Sequence, residues 1–100
     1  MVRRTAIVWT PNALQSRKSI FTYWNKRNKS DVYSKKLNLL FNESIKQVSN
    51  LNEIGKPTNL KNIRLKIASH FEIIYSVLDT QIHILDIWDT RQNPRNFPIQ

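Results

Sequence analysis

Arg64 and Lys66 stand two residues apart in Ile63-Arg64-Leu65-Lys66-Ile67, where cations alternate with branched apolar side chains. In an extended strand that alternation puts both cations on one face. Glu72 and Ser76 follow in Phe71-Glu72-Ile73-Ile74-Tyr75-Ser76-Val77, His83 lies in the next alternating run, and Arg91 comes just after it. Aligning the apolar sets pairs Ile67 with Phe71, Leu65 with Ile73 and Ile63 with Tyr75, because cross-strand partners share a face. Lys66 then faces Glu72, His83 faces Ser76, and Arg91 lies just beyond the last strand. Cations and an imidazole gathered in this way can stabilise the charge that grows on a phosphate under attack. A solvated sheet face that resists aggregation would read the same way.

Other chemistry has less to work with. No cysteine is present, and the only histidines, His70 and His83, have no nearby carboxylate at ligand spacing, so no metal is expected. A single glycine leaves no phosphate-cradling loop, no nucleophilic serine motif is visible, and no cofactor is expected. Of the tryptophans Trp9, Trp24 and Trp88, the second falls on an apolar helix face and reads as core, while Trp88 ends a strand beside Asp89 and Arg91.

The elements that must hold these residues can be placed from periodicity. Residues 2–9 alternate and predict a first strand. Thr10-Pro11 is a helix start, since threonine can accept from the free amides of the first turn and proline loses nothing at the first position. The helix over 11–27 should turn Leu14, Phe21 and Trp24 inward with Ala13 and Ile20 beside them, leaving Arg17, Lys18, Lys26 and Arg27 elsewhere. Ser30 is placed to cap a second helix over 31–54, in which Leu37, Leu40, Phe41, Ile45, Val48 and Leu51 recur at threes and fours. Gly55 supplies a left-handed stop and Pro57 forbids continuation. So short a link implies an antiparallel helical hairpin. After Pro57 the period drops to two. Strands over 62–67, 71–78 and 81–88 form a meander, with Ala68-Ser69-His70 and Asp79-Thr80 as turns. That register sets Asp86 on the apolar face, which calls for either a bulge or a buried partner. Residues 89–100 form an irregular tail. The fold class is α+β, order β-α-α-β-β-β, with the hairpin on one face of a largely antiparallel four-stranded sheet.

One hundred residues, 40% of them apolar, make one domain spanning 1–100. Net charge is +9, and residues 1–36 carry nine positive charges against one negative, so the excess is local. A one-sided basic surface attracts polyanions. The residues after Met1 are too soon broken by Pro11 for a signal peptide, and no run is long enough to span a membrane. With the absence of cysteine, this fits a cytoplasmic protein.

Taken in order, the segments resemble the RelE/ParE superfamily of bacterial toxin-antitoxin toxins. The resemblance rests on Val8-Trp9-Thr10-Pro11-Asn12-Ala13, Ile20-Phe21-Thr22-Tyr23-Trp24, the long second helix closing near Gly55 and Pro57, Phe71-Glu72-Ile73-Ile74-Tyr75, and Ile87-Trp88-Asp89-Thr90-Arg91-Gln92-Asn93-Pro94. It implies a toxin neutralised by a small acidic cognate antitoxin. It also implies one of two targets. ParE-like members poison DNA gyrase, whereas RelE-like members enter the ribosome and cleave mRNA by attack of the 2′-hydroxyl on the adjacent phosphate. In the RelE pattern Arg64, Lys66 and Arg91 would be the catalytic cations, with His83 a weaker candidate. That pattern wants an arginine where this chain has Glu72, and a terminal tyrosine where the nearest aromatic is Phe97. The ParE-like reading is favoured for that reason, the mRNA endonuclease is the alternative, and a non-toxic nucleic-acid-binding module is a third. Trp88, Asp89, Arg91, Gln92 and Asn93, the most specific string, are the candidates for contact with target or antitoxin.

Overall fold

The computed structural model describes residues 6–92 and 97. Strand β1 (Ala6–Trp9) leads into helix α1 (Pro11–Asn28) and helix α2 (Val32–Asn50), followed by β2 (Lys56–Pro57), β3 (Ile63–Ala68), β4 (Phe71–Leu78) and β5 (Gln81–Asp89). The sheet has five strands in the order β1-β5-β4-β3-β2, one more than expected, because Lys56 and Pro57 pair with Leu65 and Arg64 at its edge. Proline is tolerated there because an edge strand can leave one ladder donor missing. The β1–β5 pair is parallel and the other pairs are antiparallel.

Thr10 caps α1 as its position implies, its hydroxyl accepting from Ala13 N at 3.2 Å, with Pro11 in the first turn. Ala13 is fully buried, and Ile20, Phe21 and Trp24 pack on the core. Leu14, expected inside, is 48% exposed. Arg17 takes the inner position instead. Its guanidinium lies over Trp9 at 5.2 Å and Phe21 at 5.3 Å and bonds Asn38 of α2, with its Nε buried and unbonded. Helix α2 buries Leu37, Phe41, Ile45 and Val48, one side of a 3.6-residue period, against Phe71, Ile73, Tyr75, Ile82, Ile84 and Ile87 of the sheet. Phe41 sits between Phe21, with centroids 6.1 Å apart, and Phe71, at 5.3 Å.

Three expectations about chain reversal are corrected. First, α2 ends at Asn50 rather than 54, with the Asn52 amide donating back to Val48 O at 2.8 Å. Gly55 is not in the left-handed region. What it provides is room: a Cβ there would meet the Tyr75 hydroxyl oxygen at 2.4 Å. Second, Ser30 does not cap α2 by the usual geometry; Asp31 is the boundary residue and Ser30 Oγ accepts from Val32 N at 3.2 Å. Third, the β3–β4 turn has two residues, Ser69 and His70, with Ser69 at φ 58°, so Ala68 belongs to β3 and pairs with Phe71.

The third correction moves the chemistry. The pairs are Lys66 with Ile73 and Arg64 with Tyr75, not Lys66 with Glu72. A shift of one residue turns a strand over. Arg64 and Lys66 therefore lie on the helix-bearing side of the sheet, while Ile63, Leu65 and Ile67 turn away from it, Ile67 being 61% exposed. On β5 the expected register holds through Tyr75–Ile84, then slips so that Ile74 faces Asp86, leaving Leu85 as a bulge. Asp86 gains a partner as well, accepting from Ser16 Oγ.

Candidate functional site

Helix α1 is pinned across β5 at the bulge. Thr10 Oγ1 donates to Ile84 O at 2.7 Å and Asn12 Nδ2 donates to Leu85 O at 2.9 Å. Strand β1 covers β5 only from Gln81 to Ile84, so Asp86–Asp89 runs on with no described strand on that side. Between this segment and α1 opens a groove of about 780 Å³. Tyr23, Trp24 and Trp88 give it aromatic walls, and Ser16, Arg27, Asp86, Arg91 and Gln92 give it polar ones. An apolar cleft with a few convergent polar groups is the general form of a recognition site.

At one end Arg91 and Asp89 form a clamp. The guanidinium meets the carboxylate through two parallel bonds, Nε to Oδ1 and Nη2 to Oδ2, each 2.9 Å, and Arg91 N donates to Oδ1 at 2.9 Å. The same guanidinium lies 4.8 Å from the Trp24 ring centre and 5.6 Å from that of Phe71. Burial works to raise the Asp89 carboxyl, but the bonds and charge of Arg91, with His70 adding, outweigh it and hold the group below its ordinary value. Arg91 is correspondingly held above its ordinary value, chiefly by the bond to Asp89. Beside the clamp, Trp88 meets Phe97 edge-on at 5.5 Å. Asn93, named with this string from sequence, lies outside the described residues.

The other candidates lie elsewhere. Arg64 Nη1 donates to Gly55 O at 2.7 Å and Glu53 O at 3.1 Å, tying down the loop after α2. Tyr75 completes that knot: its hydroxyl accepts from Gly55 N and donates to Asn52 O, both at 2.9 Å. Burial raises the Tyr75 phenol above its ordinary value, against the opposing bond from Gly55 and the charge of Arg64. Lys66 Nζ lies 3.4 Å from Ile67 O. His83 does face Ser76, on the side away from the helices, with Nε2 3.0 Å from Gln81 Oε1. Glu72 faces Trp88. Hence the expected constellation is divided, with Arg64 and Lys66 on one face, Glu72, Ser76 and His83 on the other, and Arg91 at the groove.

Sequence reasoning missed two features. Arg17, expected away from the apolar face, packs over Trp9 and Phe21, since a guanidinium stacks readily on aromatic rings. The knot of Asn52, Gly55 and Tyr75 had one sequence signal, the placement of the chain's only glycine just after the helix. That signal was open to a cap reading as well.

A profile of the ParE toxin of type II toxin-antitoxin systems, parDE, matches residues 7–94. Among solved structures, the chromosomal ParDE TA system from P. aeruginosa superposes with a TM-score of 0.76 at 17% identity, covering 88% of this chain and 98% of that one. The YoeB dimer from Staphylococcus aureus matches at 26% identity and a TM-score of 0.48, covering 84% and 94%. The first likeness is one of fold. No curated protein matches the chain.

Proposed function

Because the chain belongs to the ParE toxin family and is the toxin of a type II toxin-antitoxin system, we propose that it arrests growth through DNA gyrase and does not cleave RNA. The observation that supports this is the engagement of its candidate catalytic cations. A nuclease needs donors aimed at the phosphate and free to follow its growing charge. Arg91 is committed to Asp89, and Arg64 to two loop carbonyls. His83 is on the opposite sheet face from Arg64 and Lys66. No single phosphate can touch all of them.

The cognate antitoxin, on this reading small and acidic, takes the groove between α1 and β5. There Trp24 and Trp88 supply rigid apolar anchors, and Asp89, Arg91 and Gln92 the polar rim. Two assays on one preparation test the target. Gyrase supercoiling with trapping of cleavage complexes should respond to the protein, while primer extension on translated mRNA should show intact transcripts. Ribosome-dependent cuts that vanish in Lys66→Ala, with gyrase unaffected, would refute the proposal.

A further inference from the structure

The excess positive charge is concentrated at the closed end of the helical hairpin. Lys26 and Arg27 occupy the last turn of α1, Lys29 sits in the connector, and Lys35 and Lys36 follow one turn into α2; all five are exposed. The nearest acid in sequence, Asp31, is paired with Lys35 at 3.4 Å. Among the described residues the only other ion pair is the Arg91–Asp89 clamp.

The frame that carries these cations is fixed. Ser30 N donates to Asn25 O at 3.2 Å, the Lys29 amide donates to the same carbonyl, and Ser34 Oγ bonds the Asn25 side chain. Lys29 holds φ 53°, a left-handed conformation that glycine or asparagine would adopt at less cost. What lysine brings there is an ammonium at the outermost point of the turn. Lys26-Arg27-Asn28-Lys29-Ser30 are all exposed, and none offers an apolar anchor of the kind a protein partner uses. Cations interleaved with amide and hydroxyl side chains are instead the set that grips phosphate oxygens.

We propose that the lysines of this hairpin tip, Lys26, Lys29 and Lys36, bind the sugar-phosphate backbone of duplex nucleic acid without reading its sequence; Arg27 is set apart because it also lines the α1–β5 groove and lies over Trp24 at 5.9 Å. The test uses no gyrase, so failure here leaves the gyrase reading standing.

Fluorescence anisotropy with a labelled 20-base-pair random DNA duplex, and with the RNA duplex of the same sequence, measures binding from about 50 to 200 mM salt. The DNA and RNA arms identify which duplex is the source of the backbone. The full chain should bind in the range of about 10⁻⁶ to 10⁻⁴ M, weakening steeply with salt. The triple variant K26Q/K29Q/K36Q should lose more than about tenfold in affinity and flatten the salt slope by about 2–3. K46Q/K56Q/K61Q removes as many exposed charges far from the tip and should lose less than about threefold. Lys29→Gly separates charge from folding, since it should raise the melting temperature while weakening binding. Equal losses in the two triple variants would reduce the effect to net charge and overturn the proposal. So would absence of binding at 50 mM salt, or polyglutamate competing as well as DNA per charge, which would make an acidic protein segment the occupant.

Discussion

Arg91→Ala distinguishes a guanidinium that serves the fold from one that serves a reaction. Its two bonds to Asp89 have ideal parallel geometry, but the Arg91 side chain is 42% exposed, so the pair itself contributes at the modest end, about 0.5–1 kcal/mol. Stacking over Trp24 at 4.8 Å adds about 0.5–1 kcal/mol. Truncation also strands Asp89, whose side chain is only 13% exposed, at a cost of about 1 kcal/mol. The expected destabilisation is about 2–3 kcal/mol at neutral pH. The sign of its pH dependence follows from Asp89. In the intact protein the folded carboxyl titrates below its ordinary value of 3.8, so the clamp contributes fully above that value and is lost as pH falls through the lower, folded one. In Arg91→Ala the burial that raises the carboxyl persists while the bonds that lower it are gone. The gap between the two proteins should therefore narrow as pH falls below 3.8, towards the contribution of stacking alone once Asp89 is protonated in both. Urea denaturation at pH 7 and at a series of values below 3.8 measures the gap and its decline. A deficit below about 0.5 kcal/mol at pH 7, or one unchanged on acidification, would refute the clamp and return Arg91 to the catalytic candidates.

Gly55→Ala loses nothing from backbone conformation, yet its methyl would sit 2.4 Å from the Tyr75 hydroxyl oxygen and 2.7 Å from Cε1. Displacing the ring breaks both hydroxyl bonds, one buried and one partly so, and the cost should be about 2–4 kcal/mol in chemical denaturation; a neutral outcome would mean the loop simply moves away. On α2, Ile45→Ala should cost about 2–5 kcal/mol because Ile45 is 7% exposed, whereas Leu40, only partly buried, should cost less than half as much. The two denaturant midpoints check that ranking, and its reversal would put the wrong helix face against the sheet.

Much of the fold is legible in the sequence because its strongest signals are local. Thr10-Pro11 starts a helix by its own chemistry, and Leu37 to Val48 repeat at a period only a packed helix uses. The change of period after Pro57 separates helix from strand. Asp86 marked its own irregularity, and both resolutions offered for it occur together: a bulge at Leu85 and a partner in Ser16. The candidate site was less legible because it depended on one unlocal quantity, the length of the Ser69-His70 turn. Aligning the apolar sets of β3 and β4 puts Ile67 opposite Phe71, but a register one residue away also joins the strands. The real register sets small Ala68 opposite Phe71 in the core and leaves Ile67 outside. Binary pattern carries no information on which side of a strand next to the sheet edge is better covered.

That choice of register has a physical reason at the sheet's rim. Strand β3 lies next to the edge, where α2 gives way to the loop after Asn50. A branched apolar side chain on that side would leave the loop carbonyls of Glu53 and Gly55 without a partner. An arginine there lays its methylene stem along the core margin and carries its head to both carbonyls, the behaviour expected of a long amphipathic side chain. The cost is the exposure of Ile67 on the far side, which a single surface methyl-bearing residue tolerates. Arg64 and Arg91 thus serve the fold, one at each end of the sheet's helix-bearing face. Lys26, Lys29 and Lys36 of the hairpin tip are exposed and make no ion pair among the described residues. For that reason a search for nucleic-acid contact in this protein should begin at Lys26, Lys29 and Lys36 and not on the sheet.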